Sequence, residues 1–207
     1  MSICTWTGNG TSGATIGHGL NKIPSMLIVK RRNTANGWPV YHEALGTGSE
    51  VYLNYTQAAT SSNFWITSPT SSVFSVSNSD YVNTSSDTYV GYAFANLDGA
   101  CKVGSYTGNG STDGPFVYTG FRPAWIMIKN LASGENWQIH DSGRDPYNVV
   151  TQRLYANTSG TDVTSTFMDF VSNGVKCRNF SGGFNSSGAT FIYLAFAEHP
   201  FKYANAR

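Results

Sequence analysis

The sequence predicts an all-β protein built from two tandem antiparallel β-sandwich repeats that pack closely, and three observations carry that reading. The chain writes itself twice. Thr7-Gly8-Asn9-Gly10 returns as Thr107-Gly108-Asn109-Gly110, and Pro24 with its apolar run to Lys30 returns as Pro123 with the run to Lys129. Trp38–Tyr41 is answered by Trp137–His140, Val51–Asn54 by Leu154–Asn157, and Tyr89–Ala95 by Phe191–Ala197. A period of about a hundred residues is too long for a solenoid and fits a duplicated domain. Composition is the second observation. Charged residues make up 12% of the 207 residues and aromatic residues 14%, which suits polar, uncharged sheet surfaces and long turns rather than disorder. The third is the absence of any sustained 3.6-residue apolar stripe, so helix should be minor.

In copy one, a Gly-rich segment (Gly8–Gly13) and a turn at Gly17-His18-Gly19 precede Pro24, which opens an apolar strand over Ser25–Lys30. Asn33–Gly37 is a turn cluster, after which Trp38–His42 is extended. Glu50–Tyr55 alternates as EVYLNY, with Val51 and Leu53 on one face and Tyr52 on the other. Phe64-Trp65-Ile66 and Val73–Val76 are two further short strands, and Tyr89–Ala95 closes the copy. Copy two repeats this order. Its added features are a charged loop from His140 to Tyr147 and a hairpin, in which Phe167–Val171 and Val175–Cys177 are joined through Ser172-Asn173-Gly174. Asn-Gly predicts the turn because both residues tolerate positive φ. The Thr-Gly-Asn-Gly elements read as tight turns needing positive φ, since no helix and no Lys-Ser/Thr follows to make a phosphate cradle. Repeat boundaries fall at 1–98 and 99–207, and the connection Asn96–Val103 is too short to act as a swinging linker. Features present in both copies serve the fold, so Trp38 and Trp137 read as core or loop-anchoring residues.

A net charge of +1 with no basic block gives no footprint for nucleic acid. The triplet Lys30-Arg31-Arg32 reads as a solvated strand end. Cys4, Cys101 and Cys177 have no CxxC spacing, so a disulfide framework and a zinc site are both unsupported, and three separate thiols suit a reducing cytoplasm. No stretch reads as a signal peptide or reaches the length of a membrane span, so membrane insertion is not expected. No cofactor motif is found.

The strings YTGNGSTDGPFVYTGFRPAWIMIKN, NWQIHDSGRDPYNVV, DFVSNGVKCR and FIYLAFAEHPFKYANAR, with HGLNKIPSMLIVKRR and GWPVYHEALGTG in copy one, resemble the duplicated C-terminal domain of tail-fibre-like proteins of marine phages. The resemblance spans Cys4 to Arg207 and is more specific in the second copy. It implies a virion protein, assembled in the host cytoplasm, with a jelly-roll or lectin-like sandwich. Such domains usually follow a long shaft or virion anchor, whereas this sequence starts at the first copy.

Three function classes follow. The leading one is receptor binding, with a host-surface glycan as ligand. Sugar sites combine exposed aromatic faces with a few orienting polar groups, and positions that differ between the copies are the better candidates. These are Trp65 and Tyr81, set among Asn63, Asn78 and Asp80, and His140, Asp141, Arg144, Asp145 and Tyr147 in the second copy's loop. The competing structural readings are a core place for Trp65 and a surface ion pair of Arg144 with Asp141 or Asp145. The second class is a virion structural or decoration protein that contacts other virion proteins or copies of itself, a trimer matching the analogy. Phe201 and Tyr203 in the tail are its candidate interface residues. The third is a glycosidase. Asp141 and Asp145 are close in sequence, but copy one has His42 and Gly46 in their places, and no Gly-x-Ser-x-Gly elbow occurs. The expectation is therefore a binding protein and not an enzyme.

Overall fold

The computed structural model describes residues 1–200, and Phe201 and Tyr203 lie outside them. The chain divides into two compact units, Met1–Ala95 and Asn96 onward. Both are all-β with antiparallel pairing throughout.

The first unit contains β1 (Ser2–Thr7), β2 (Ala14–Gly17), β3 (Met26–Arg31), β4 (Pro39–His42), β5 (Ser49–Tyr52), β6 (Thr60–Ser61), β7 (Val73–Val76) and β8 (Thr88–Phe94). Six strands form one sheet in the order β1-β8-β3-β4-β5-β6, and β2 pairs with β7 in a separate ribbon. Leu27 and Val29 of β3, Tyr41 of β4, Tyr52 of β5, Phe74 and Val76 of β7 and Tyr89 of β8 share one buried cluster, so the ribbon closes over one face of the sheet. Each large apolar side chain removed from water in this way contributes roughly 1.5–3 kcal/mol.

The second unit contains β9 (Cys101–Thr107), β10 (Phe116–Tyr118), β11 (Pro123–Asn130), β12 (Gln138–Asp141), β13 (Val150–Tyr155), β14 (Val163–Val171), β15 (Gly174–Cys177), the one-turn helix α1 (Gly182–Asn185) and β16 (Thr190–Ala197). Its eight strands form a single sheet in the order β9-β16-β11-β12-β13-β14-β15-β10. That is the order of the first unit, with the break between β6 and β7 healed. The cause is local. β14 runs for nine residues and pairs with β15 from Met168↔Cys177 to Val171↔Gly174. The matching stretch of the first unit, Thr60–Pro69, manages two strand residues and an isolated Trp65↔Val76 bridge. Ser-rich sequence and Pro69, which lacks an N–H to donate, account for the interruption.

The expected hairpin is present, but its turn differs from the one foreseen. The loop residues are Ser172 and Asn173, and neither Asn173 nor Gly174 has positive φ. Gly174 is required by proximity instead: a Cβ there would sit 2.2 Å from the Val117 carbonyl oxygen of neighbouring β10. The three cysteines are unpaired.

The duplicated Thr-Gly-Asn-Gly element is a clasp. Gly10 and Gly110 take positive φ (69° and 65°). A Cβ on Gly8 would stand 2.0 Å from Thr84 O, and one on Gly108 2.2 Å from Ser186 O, so only glycine fits either place. In the first unit the Asn83 side chain accepts from Asn9 N–H (3.1 Å) and donates to Asn9 Oδ1 and Thr11 O (2.9 Å each). In the second, Asn185 accepts from Asn109 N–H (2.9 Å) and donates to Ser111 O (2.8 Å) and Asn179 O (2.9 Å). One buried asparagine thus ties the first loop of each unit to the segment before its last strand. The tryptophan loops match as well. Trp38 N–H donates to Asn54 Oδ1 at 2.8 Å and Trp137 N–H to Asn157 Oδ1 at 3.0 Å.

Candidate functional site

These matched hydrogen bonds set residue against residue between the units. Leu53 N–H reaches Trp38 O and Ala156 N–H reaches Trp137 O, so Tyr52 corresponds to Tyr155 and Glu50 to Arg153. Ser77 N–H reaches Phe64 O and Arg178 N–H reaches Phe167 O, so Phe64 corresponds to Phe167 and Trp65 to Met168. Asn83 and Asn185 both follow a Ser-initiated turn, Ser79 or Ser181, which places Asp80-Tyr81 opposite Gly182-Gly183.

Two of the expected ligand residues are interior. Trp65 is only 3% exposed and meets Tyr41 edge-on at 5.8 Å, so it offers no platform to a sugar. Phe64-Trp65 enters the core because the chain must cover the tyrosines of β4 and β5 there. His140 is fully buried, with Nδ1 3.2 Å from Gln152 O and the rings of Phe167 and Phe184 beside it. Burial drives its pKa down to about 3, with Arg153 and Arg144 adding to the fall. It is a neutral core histidine.

The loop after His140 is organised by its own charges. Asp141 accepts from Arg144 Nε and NH2 (2.6 Å each) and from Arg144 N–H (2.9 Å). Asp145 accepts from the backbone N–H groups of Thr151 (2.7 Å) and Gln152 (2.6 Å). Both carboxylates hold the loop in place. Tyr147 stands 83% exposed, apart from any described aromatic partner.

Tyr81 does belong to an aromatic group. It stacks on Phe64 (centroids 5.0 Å, 24°) and meets Tyr52 edge-on at 5.4 Å, and Tyr52 meets Tyr55 at 5.3 Å. Gly37 makes room for this, since a Cβ on it would lie 2.6 Å from Tyr52 Cδ1 and 3.1 Å from Tyr55 Cε2. Tyr55 is 39% exposed and Tyr81 partly so. Beside them Asn36 Nδ2 donates to Asp80 Oδ2 at 3.2 Å, and Arg31 lies 3.8 Å from the same oxygen. Beneath lies Glu50, buried, with Thr60 Oγ1 donating to Oε1 at 3.1 Å and the Tyr52 phenol as a second neighbour. Burial raises the Glu50 pKa, and the same cause raises that of Tyr52. The result is a patch of tyrosine faces rimmed by an amide and a carboxylate. Sequence reasoning found Tyr81 and Asp80 but missed Tyr55, Asn36 and Glu50. The signal was in EVYLNY, whose tyrosines bracket the strand end.

At the same place in the second unit, Arg153 replaces Glu50. Its guanidinium lies 4.7 Å from the Tyr155 ring centroid and 4.6 Å from that of Phe167, and NH1 donates to Gln138 Oε1 at 3.3 Å. Gly183 stands where the first unit has Tyr81, and Gln138 fills the space; a Cβ on Gly183 would overlap Gln138 Nε2 at 1.5 Å. Among the described residues no group of three His, Cys, Asp or Glu side chains is placed to hold a metal ion.

A family model described as Domain of unknown function (DUF7483) matches residues 1–200. The chain belongs to that family. The DUF7483 match runs through both units and so includes both the tyrosine patch and Arg153. No curated protein and no solved structure matches the chain.

Proposed function

We propose that this DUF7483 protein is a non-enzymatic phage virion protein of tail-fibre type that binds a carbohydrate on the host surface. In this reading each unit is a lectin-like β-sandwich, made twice, and the chain works as a homo-oligomer, with a trimer favoured. The supporting observation is the tyrosine patch of the first unit. Tyr55 and Tyr81 offer flat apolar faces to the C–H side of a sugar ring, while Asp80 and Asn36 stand at the rim to orient hydroxyls. The aromatic side chains are held by Tyr52, Phe64 and Gly37, so little ordering is left to be done on binding.

Glycan-array screening followed by titration tests this reading. Tyr55→Ala, which removes a partly exposed ring, should weaken binding of a retained saccharide roughly tenfold or more with the melting temperature lowered only slightly. Wild-type protein that retains no saccharide, or binding that is indifferent to Tyr55→Ala and to Asp80→Ala, refutes it.

A structural or decoration role on the virion is the second reading. It is favoured by the exposed aromatics of the second unit: Phe116 and Tyr118 on edge strand β10, with Tyr118 62% exposed, and Phe180. Protein interfaces are enriched in such side chains. Fixed density for the chain on an assembled particle, away from any receptor-facing surface, would decide for it.

A further inference from the structure

From the carboxylate-to-guanidinium exchange between the units we infer that Arg153 is the anion-recognising centre of a second saccharide site, one that takes a sugar bearing a carboxylate or sulfate. The inference rests on the carbohydrate-binding reading and names the ligand class for the second unit.

Three observations converge on Arg153. It is an arginine without a carboxylate. In the same unit Arg122 pairs with Glu198, Arg144 with Asp141 and Asp162, and Arg178 with Asp169, whereas among the described residues no acidic oxygen lies within ion-pair distance of Arg153. Glu135 acts on it only at longer range. Its hydrogen bonds go to neutral partners and leave donor capacity over. NH1 is used by Gln138, the Tyr155 side chain is a further hydrogen-bonding neighbour, and Nε is buried without a partner. A half-buried guanidinium left in this state favours an external anion, because a charged acceptor is the strongest partner available to it and partial desolvation strengthens the pair. Finally, the group is pre-organised. The Tyr155 and Phe167 rings on either hand hold the guanidinium, and the Gln138 amide fixes its rotation.

The fold does not ask for this arrangement. At the matching position the first unit buries a carboxyl, Glu50, beside Tyr52, so the position does not require a cation. The exchange at 81 and 183 follows the same logic. Tyr81 stacks on Phe64 in the first unit, while in the second the ring of Phe167 is left to the guanidinium and the tyrosine is replaced by Gly183. Gln138 is a positioning residue, since it is buried and touches Arg153 rather than solvent.

The test uses the full chain and three probes: trigalacturonate, its neutral methyl ester, and a sulfated galactose trisaccharide. Titration reads the ratio of affinities, acidic over neutral. Wild type should prefer at least one acidic probe over the ester by roughly tenfold to a hundredfold, the range for a charge-assisted pair. The preferred probe identifies carboxylate or sulfate as the anion. Arg153→Gln should bring the ratio to about one. Arg153→Lys keeps the charge but loses the planar fork, and should lower the ratio several-fold with the fold intact by near-ultraviolet circular dichroism. An acidic preference that survives both substitutions, or saccharide binding with no acidic preference, overturns this inference alone. Wild-type protein that binds none of the probes and no array glycan overturns it together with the carbohydrate reading.

Discussion

His140 shows at the residue scale how a polar side chain can be read for chemistry and turn out to be core. Its ring is enclosed by Phe167 and Phe184, and burial brings its pKa to about 3. The stability consequence has a definite sign. Because the folded value is depressed from 6.5, the unfolded chain takes up the proton first as pH falls, so stability is fully present above about pH 6.5 and is lost on descending toward pH 3. Urea titrations between pH 7 and pH 4 should show wild type losing up to about 1.4 kcal/mol per pH unit more than His140→Gln. Parallel curves for the two proteins would mean that His140 is not buried in neutral form. Trp65 carries the same lesson without charge: an aromatic residue where the copies differ marked a difference in core packing, with Met168 filling the place in the other unit.

At the scale of elements, the two units reach one strand order by different local means. Trp6 stacks on Tyr89 at 5.4 Å and Tyr106 on Phe191 at 5.1 Å, at matching positions of the paired first and last strands. Two residues along, the first unit pairs Cys4 with Gly91 and the second pairs Gly104 with Tyr193. The glycine has changed strands and is covered in both: a Cβ on Gly91 would lie 3.1 Å from the Trp6 ring, and one on Gly104 2.7 Å from Tyr193 Oη. The clasp has been kept in both. Asn185→Ala should cost about 2–3 kcal/mol in chemical denaturation, since it removes three hydrogen bonds made by a buried side chain to part-buried backbone groups. Asn83→Ala should behave alike in the first unit. A loss below about 0.5 kcal/mol at both positions would show that the loops hold without their asparagines.

Over the whole molecule, what the sequence made legible was whatever the chain wrote twice. The strand that follows Pro24, the strand that begins at Pro123 and the closing strands Thr88–Phe94 and Thr190–Ala197 carry apolar runs that a buried sheet satisfies. Strands β2 and β10 escaped notice because they are short, half-exposed and embedded in Gly- and Ser-rich sequence whose local signal is that of a turn. The candidate sites were harder for a physical reason. A site is a meeting of side chains distant in sequence, and Glu50, Tyr55, Tyr81 and Asn36 meet only once β5, the turn after it and the turn before β8 are in place. Position decides what a difference between the copies means: Trp65 against Met168 is packing, whereas Glu50 against Arg153 exchanges a carboxyl for a guanidinium among aromatic rings. The most direct measurement of the central claim is a crystal structure of the chain with a saccharide that it retains in solution. A sugar ring lying on Tyr55 and Tyr81, with hydroxyls reaching Asp80 or Asn36, is the result predicted, and an empty tyrosine patch with the sugar bound away from both it and Arg153 would contradict it.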